Sequence, residues 1–211
     1  MAKKIWLPKE ILEKLSRDKS SDVRKAIAAN PDLPKEVLEK LSRDKSSDVR
    51  KAIAANSDLP KEVLARLSRD ESSDVRRAIA AHPNLPREVL EGLSHDKSSE
   101  VRRGIAAKPD LPSEILEKLA DDPNDEIKIV VLENVNCPEN ILIRYATYEK
   151  PKFRQIISKR RNLPKAIVDV LTDRKRFALE EHMFINGICS QCGCGLEFVE
   201  YFGSGCNRFL K

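Results

Sequence analysis

A Leu-Pro pair returns along this chain in steps of 26 residues, at Leu7-Pro8, Leu33-Pro34, Leu59-Pro60, Leu85-Pro86, Leu111-Pro112 and Leu163-Pro164, and Cys137-Pro138 fills the one interval left open. Self-similarity at a fixed period of this size is the mark of an array of stacked units rather than of a single-core domain. Units therefore open at residues 7, 33, 59, 85, 111, 137 and 163. The prolines confirm the register: of 12, seven hold this position, and Pro31, Pro83 and Pro109 sit three residues upstream of it.

One unit, Leu33 to Asp58, shows what the period encodes. Pro34 fits the first turn of a helix, where no backbone donor is needed, and Glu36 adds negative charge where the helix dipole favours it. Leu33, Val37, Leu38 and Leu41 then form a one-sided apolar stripe. The run Asp44-Lys45-Ser46-Ser47-Asp48 breaks the stripe and offers N-cap side chains. A second short helix is predicted from Val49 to Ala55, with Val49, Ala52 and Ile53 inward. The equivalent helix one unit earlier ends at Asn30, before Pro31. Ala26, Ala52 and Ala78 allow close approach at one row, which Val130 and Ile156 fill in later units. Such a pair of helices cannot bury its apolar face alone, and stacking copies builds a continuous core. The expected fold is an all-α solenoid of about seven 26-residue repeats, two helices each, over residues 1–176, with a small cysteine-rich segment at 177–211.

The recurring stretch Leu-Pro-x-Glu-Val/Ile-Leu-x-x-Leu-Ser-x-Asp-x-Ser-Ser-Asp-Val-Arg-x-Ala-Ile-Ala-Ala-Asn-Pro resembles the bacterial leucine-rich repeat variant family over most of residues 7–162. The resemblance implies a right-handed, HEAT-like superhelix whose units pair one α-helix with one closer to 3₁₀. A described member of that family carries an iron–sulfur cluster in an N-terminal cysteine-rich segment; here the cysteines lie at the other end.

Register separates the five cysteines. Cys137 occupies the core-facing position of Leu33, Leu59 and Leu111 and reads as a small buried hydrophobe. Cys189, Cys192, Cys194 and Cys206 follow the repeats. A Cys-x-x-Cys-Gly turn presents two thiolates to one metal, and soft thiolates with an imidazole suit zinc or an iron–sulfur cluster. The pattern His-x6-Cys-x-x-Cys-Gly from His182 also resembles the knuckle of small bacterial zinc ribbons. Two ligand sets stay open: Cys189, Cys192 and Cys206 with His182, for Zn2+, or the same three with Cys194, for Zn2+ or a [4Fe–4S] cluster. Zn2+ is the first expectation and the cluster the alternative. In the seventh unit Val49, Arg50 and Ala52 become Leu179, Glu180 and His182, so its second-helix pattern is lost. An open array end needs a cap, and a tail with Phe184, Phe198, Tyr201, Phe202 and Phe209, stapled by a structural metal, would supply one. Ile5 and Trp6 would cover the other end.

Charges recur as well. Arg24, Arg50, Arg76, Arg102 and Arg154 share one position, with Lys128 in the remaining slot; Asp18, Asp44, Asp70, Asp96 and Asp122 form one acidic row, and Asp22, Asp48, Asp74, Glu100 and Glu126 another. The expected arrangement is a surface spine of Arg–carboxylate pairs tying neighbours together, each worth ~0–1 kcal/mol if exposed. The sixth unit departs from it, with Tyr148 and Lys152 in the acidic slots. Residues 149–176 hold ten bases against three acids, a surplus of +7 in a chain whose total is +5. Lys150, Lys152, Arg154, Lys159, Arg160, Arg161, Arg174, Lys175 and Arg176, with Tyr145, Tyr148 and Phe153 nearby, make a candidate surface for an anionic partner.

Several classes are disfavoured. Seven glycines leave little for phosphate-cradling loops; no serine nucleophile elbow or pair of catalytic carboxylates is found, and no enzymatic activity or small-molecule substrate is expected. His82 and His95 read as surface substitutions. No apolar run reaches the ~18 residues of a membrane span, and the start lacks the apolar stretch of a signal peptide, so no membrane partner and a cytoplasmic setting are expected. The leading functional expectation is a non-enzymatic scaffold for a protein partner, capped by the metal segment. A nucleic-acid module using the basic end and an iron–sulfur electron-transfer or redox-sensing protein are the alternatives.

Overall fold

The computed structural model describes residues 7–147, 150–172, 184–185 and 188–189, and its chain divides into two compact units, Met1–Ile105 and Ala106–Lys211. The first holds helix pairs in strict succession: α1 (Lys9–Leu15) with α2 (Ser21–Ala28), α3 (Lys35–Leu41) with α4 (Ser47–Ala54), α5 (Lys61–Leu67) with α6 (Ser73–Ala80), and α7 (Arg87–Ser94) with α8 (Ser99–Ala106), which runs to the unit boundary. The second holds α9 (Ser113–Ala120), α10 (Asp125–Glu133), α11 (Glu139–Ala146), α12 (Pro151–Ser158) and α13 (Lys165–Thr172), then a two-stranded antiparallel hairpin of β1 (Phe184–Ile185) and β2 (Ile188–Cys189). The chain is an all-α helical repeat, and its helix starts recur at the sequence period.

Each first helix begins just after its proline. Pro34 is the cap residue at φ −57° and ψ 145°, one position earlier than a first-turn proline, and its carbonyl accepts from the Val37 and Leu38 amides at 2.9 and 3.0 Å. Asp44 organises the link between the pair: its Oδ1 accepts from the Ser46 amide at 2.9 Å, turning the chain into Ser46, the cap of α4. In the first copy the serine side chain also caps, Ser20 Oγ accepting from the Asp22 amide at 3.2 Å. Both helices of each pair are α-helical; i→i+3 closure is confined to their ends, such as Asp44 N to Leu41 O at 3.1 Å. The 3₁₀ character implied by the family resemblance is absent from the described residues.

The second helices stack on one another, α2 on α4 and α4 on α6, and α10 on α12 within the second unit. Their inner rows are Val49, Val75 and Val101, then Ile53, Ile79 and Ile105, all at 0% exposure. Leu33, Val37, Leu38 and Leu41 are buried as their spacing predicts. Ala52 is not: it is half-buried, and Arg50 and Ala54 face inward beside Val49 and Ile53. The buried arc falls on the 49–50–53–54 set, the side from which Arg50 reaches Asp70. Gly104, which replaces alanine at the Ala52 row, leaves a Cβ position only 3.3 Å from Ala80 Cβ. Close approach is thus real, although the row sits at the rim of the core.

In the second unit the core enlarges. Phe153 takes the valine position and is fully buried, and Tyr145 meets it edge-on with ring centroids 5.0 Å apart. The Tyr145 hydroxyl donates to the Ala120 carbonyl, so the ring is both packed and hydrogen-bonded. Cys137 is buried too, and burial pushes its thiol up to about 11. No helix among the described residues is long and apolar enough to cross a membrane.

Candidate functional site

The recurring arginines are buried rather than displayed. Arg24, Arg50 and Arg76 are 5–7% exposed. Each guanidinium makes a two-pronged contact with the aspartate 20 residues ahead: Arg50 Nε and Nη2 donate to Asp70 Oδ2 and Oδ1 at 2.6 and 2.9 Å, and Arg24 with Asp44 and Arg76 with Asp96 repeat the geometry. The remaining nitrogen turns back, Arg50 Nη1 donating to the carbonyls of Asp44 and Lys45 at 2.7 and 3.2 Å. One side chain therefore closes its own inter-helix turn and grips the next copy. The hydrogen bond from Arg24 holds Asp44 below the usual carboxylate range; burial alone would raise Asp70 and Asp96, but the hydrogen bonds from Arg50 and Arg76 and from backbone amides outweigh it and hold both low. The surface spine expected from the sequence is corrected to a desolvated one, because a planar fork with this many partners can be buried at acceptable cost.

A second set of ties follows the helix-end row of Asn30, Asn56, His82, Asn134 and Arg160. Asn56 Nδ2 donates to the carbonyls of Asn30 and Pro31, both at 3.3 Å, while its Oδ1 accepts the Asp58 amide. Asn134 Nδ2 does the same toward Ala106 and Lys108 at 2.9 and 2.8 Å. Arg160 Nη1 reaches the carbonyls of Leu132 and Asn134 at 2.6 and 2.9 Å, closing the C-terminal end of α10. His82 belongs to this row and is buried at 5% exposure, its Nδ1 accepting the Asn84 amide; its reading as a surface substitution is overturned. His95 is exposed, with Nδ1 2.9 Å from the Glu91 carbonyl.

The outer acidic row pairs weakly and in the open. Lys25 lies 3.5 Å from Asp48, Lys51 4.0 Å and Arg77 3.0 Å from Asp74, and Arg103 2.8 Å from Glu100, with the side chains about half exposed.

The basic stretch sorts into three groups. Arg154 is buried with the other ladder arginines, and Arg160 is engaged by carbonyls, so neither presents an open charge. Lys150 and Lys152 are exposed and both reach Asp125, at 2.7 and 3.4 Å, as Lys128 does at 3.4 Å. Hydrogen bonds from Lys150, then Lys152 and Lys128, bring the Asp125 carboxyl down to about 2. Lys159, Arg161 and Lys165 are exposed on the end of α12, the following turn and the start of α13. Asn162 in that turn has φ 57°, a left-handed conformation that asparagine tolerates. Tyr145 and Phe153 are core residues rather than flanking platforms; Tyr148, Arg174, Lys175 and Arg176 lie outside the described residues.

Of the cysteine segment, the backbone places Cys189 on β2 opposite Phe184. His182, Cys192, Cys194 and Cys206, and the expected boundary at 176–177, lie outside the described residues. Among the described residues no group of three or more His, Cys, Asp or Glu is arranged to hold a metal ion.

These features define a helical repeat protein whose buried polar chemistry serves repeat-to-repeat linkage. Residues 22–46, 74–98 and 100–124 match the model of the Leucine rich repeat variant. Among solved structures the chain is similar to a leucine-rich repeat variant with a novel repetitive protein structural motif, at 27% identity over 73% of this chain and 72% of that one, TM-score 0.40. It is also similar to the X-ray structure of YIBA_ECOLI, at 17% identity over 79% of this chain and 71% of that one, TM-score 0.54, a likeness of fold. No curated protein matches the chain.

Proposed function

We propose that the protein is a non-enzymatic scaffold of the leucine-rich repeat variant family that binds a protein partner, with its cysteine segment closing the array around a structural metal. The observation that carries this reading is where the buried polar groups go. Arg24, Arg50 and Arg76, the aspartates they hold, Asn56 and Asn134 are all committed to joining one copy to the next. Repeats built this way offer rigid exposed helix faces, and such faces bind extended partners. The test is direct binding of a purified candidate partner, followed by substitution of exposed residues on the second helices. Binding that survives every such substitution, or catalytic turnover by the purified chain, would overturn the reading.

For the cap, Cys189, Cys192 and Cys206 with either Cys194 or His182 would hold Zn2+, or a [4Fe–4S] cluster with all four cysteines. In support, the backbone of Cys189 stands on a short hairpin, and the sequence continues to Cys192-Gly193 with the Cys-x-x-Cys-Gly spacing that zinc and iron–sulfur sites use. Metal analysis and the visible spectrum of protein purified without oxygen separate the two: a colourless zinc protein excludes the cluster, a brown one supports it. Cys189→Ser with Cys192→Ser is expected to abolish metal retention and leave the first unit folded.

A further inference from the structure

The outer stripe of the second helices is neutral everywhere in the first unit and positive on α12. Position by position, Asp48 and Lys51 on α4, Asp74 and Arg77 on α6, and Glu100 and Arg103 on α8 alternate in sign and pair across or along the helices. On α12 the corresponding residues are Lys152 and Gln155, followed by Lys159 where the first unit has Ala55 and Ala81. Residues 152, 155 and 159 fall on one helical stripe, and all three are exposed. Neighbouring α10 carries Asp125, Glu126 and Glu133, of which Asp125 is engaged by three lysines. Past the end of α12, Arg161 and Lys165 extend the charge, and between Lys150 and Thr172 the one acid is Asp169.

We propose that this α12 stripe and the turn after it dock an extended acidic segment of a partner protein, a proposal that rests on the scaffold reading and names the chemistry of its partner. Asp125 shows the mode on the molecule itself, since Lys150 and Lys152 converge on its carboxylate. Lys152 and Lys159 stand about 10 Å apart along the helix at 1.5 Å per residue, which three to four residues of extended chain at ~3.3 Å each span. The partner segment therefore carries carboxylates three to four residues apart, with Gln155 between the lysines free to bond its backbone. A stacked single-stranded nucleic acid fits less well. Among the described residues, the two aromatic rings nearest the patch, Tyr145 and Phe153, are buried against each other and offer no face to a base.

The experiment is fluorescence anisotropy of a labelled hexaglutamate peptide on the full chain, with single-stranded DNA as competitor and circular dichroism to confirm folding. Lys152→Glu with Lys159→Glu is expected to weaken binding about tenfold or more, whereas Lys51→Glu with Arg77→Glu, the same charge change on paired stripes, changes it less than about twofold. Asp125→Asn, which removes the carboxylate on which Lys150 and Lys152 converge, is expected to tighten it. Equal losses in both charge reversals, absence of peptide binding, or displacement by single-stranded DNA at lower charge concentration than by unlabelled peptide would each overturn the site. A purified protein partner that still binds the Lys152→Glu, Lys159→Glu chain leaves the scaffold reading standing and removes this site alone.

Discussion

The helices α6 and α12 share an inner face and differ on the outer one. Both bury an aliphatic or aromatic residue, an arginine and an isoleucine in the same register: Val75, Arg76 and Ile79 on one, Phe153, Arg154 and Ile157 on the other. Outside, α6 shows Asp74 and Arg77 in contact with each other, while α12 shows Lys152, Gln155 and Lys159. The inner residues answer to the neighbouring copy, and among the described second helices the guanidinium is kept except on α10, where Lys128 takes its slot. The outer ones form only exposed ion pairs with neighbouring copies, each worth ~0–1 kcal/mol, so chemistry can change there at little cost to the fold. That division makes α12 the place to look for function and α6 the reference against which to look.

The contrast breaks if inner and outer substitutions cost the same. Asp70→Ala removes the two-pronged partner of the buried Arg50 guanidinium, leaving it the exposed Glu71 at 3.1 Å and two carbonyls, and is expected to lower stability by about 3–5 kcal/mol, read as the midpoint of thermal unfolding by circular dichroism. Ile79→Ala, which empties a fully buried site, should cost about 2–4 kcal/mol in the same assay. Arg160→Ala removes a charged donor from two carbonyls at the end of α10 and should cost about 1–3 kcal/mol. At the small end, Lys152→Ala on the outer stripe should stay within about 0.5 kcal/mol.

Acid sharpens the same comparison. Asp44, Asp70 and Asp96 titrate below an unfolded aspartate, so their contribution is complete above the ordinary carboxylate range near pH 4 and is lost as pH falls through their lower folded values. Stability of the ladder repeats should therefore drop steeply below about pH 4, and Asp70→Asn should flatten that slope. A slope unchanged by the substitution would mean that the ladder is not what acid dissolves.

Much of the inner face was readable from the amino-acid sequence, because Leu38, Val49 and Ile53 recur at helical spacing inside a fixed period. The arginines show where such reading stops. A guanidinium every 26 residues reads as a surface row, and only the placement of Asp70 against Arg50 across a 20-residue separation reveals its burial. His82 misleads for the same reason, since its row marks a helix end without saying that the end is covered. Asp125 carried a signal that went unused: it stands where earlier copies have Ser21, Ser47, Ser73 and Ser99. Of the candidate metal ligands, Cys189 has its backbone on β2, and His182, Cys192, Cys194 and Cys206 lie outside the described residues.

The two-pronged arginine also acts as a ruler. Its fork closes on a carboxylate only when the next copy arrives at one distance and one rotation, and its third nitrogen has already fixed the turn from which that distance is counted. An inserted residue between Arg50 and Asp70 would swing the carboxylate away and leave the charge stranded. Copy length is thereby policed at the joints that Arg24, Arg50 and Arg76 close, whereas the outward-facing side chains remain open to revision.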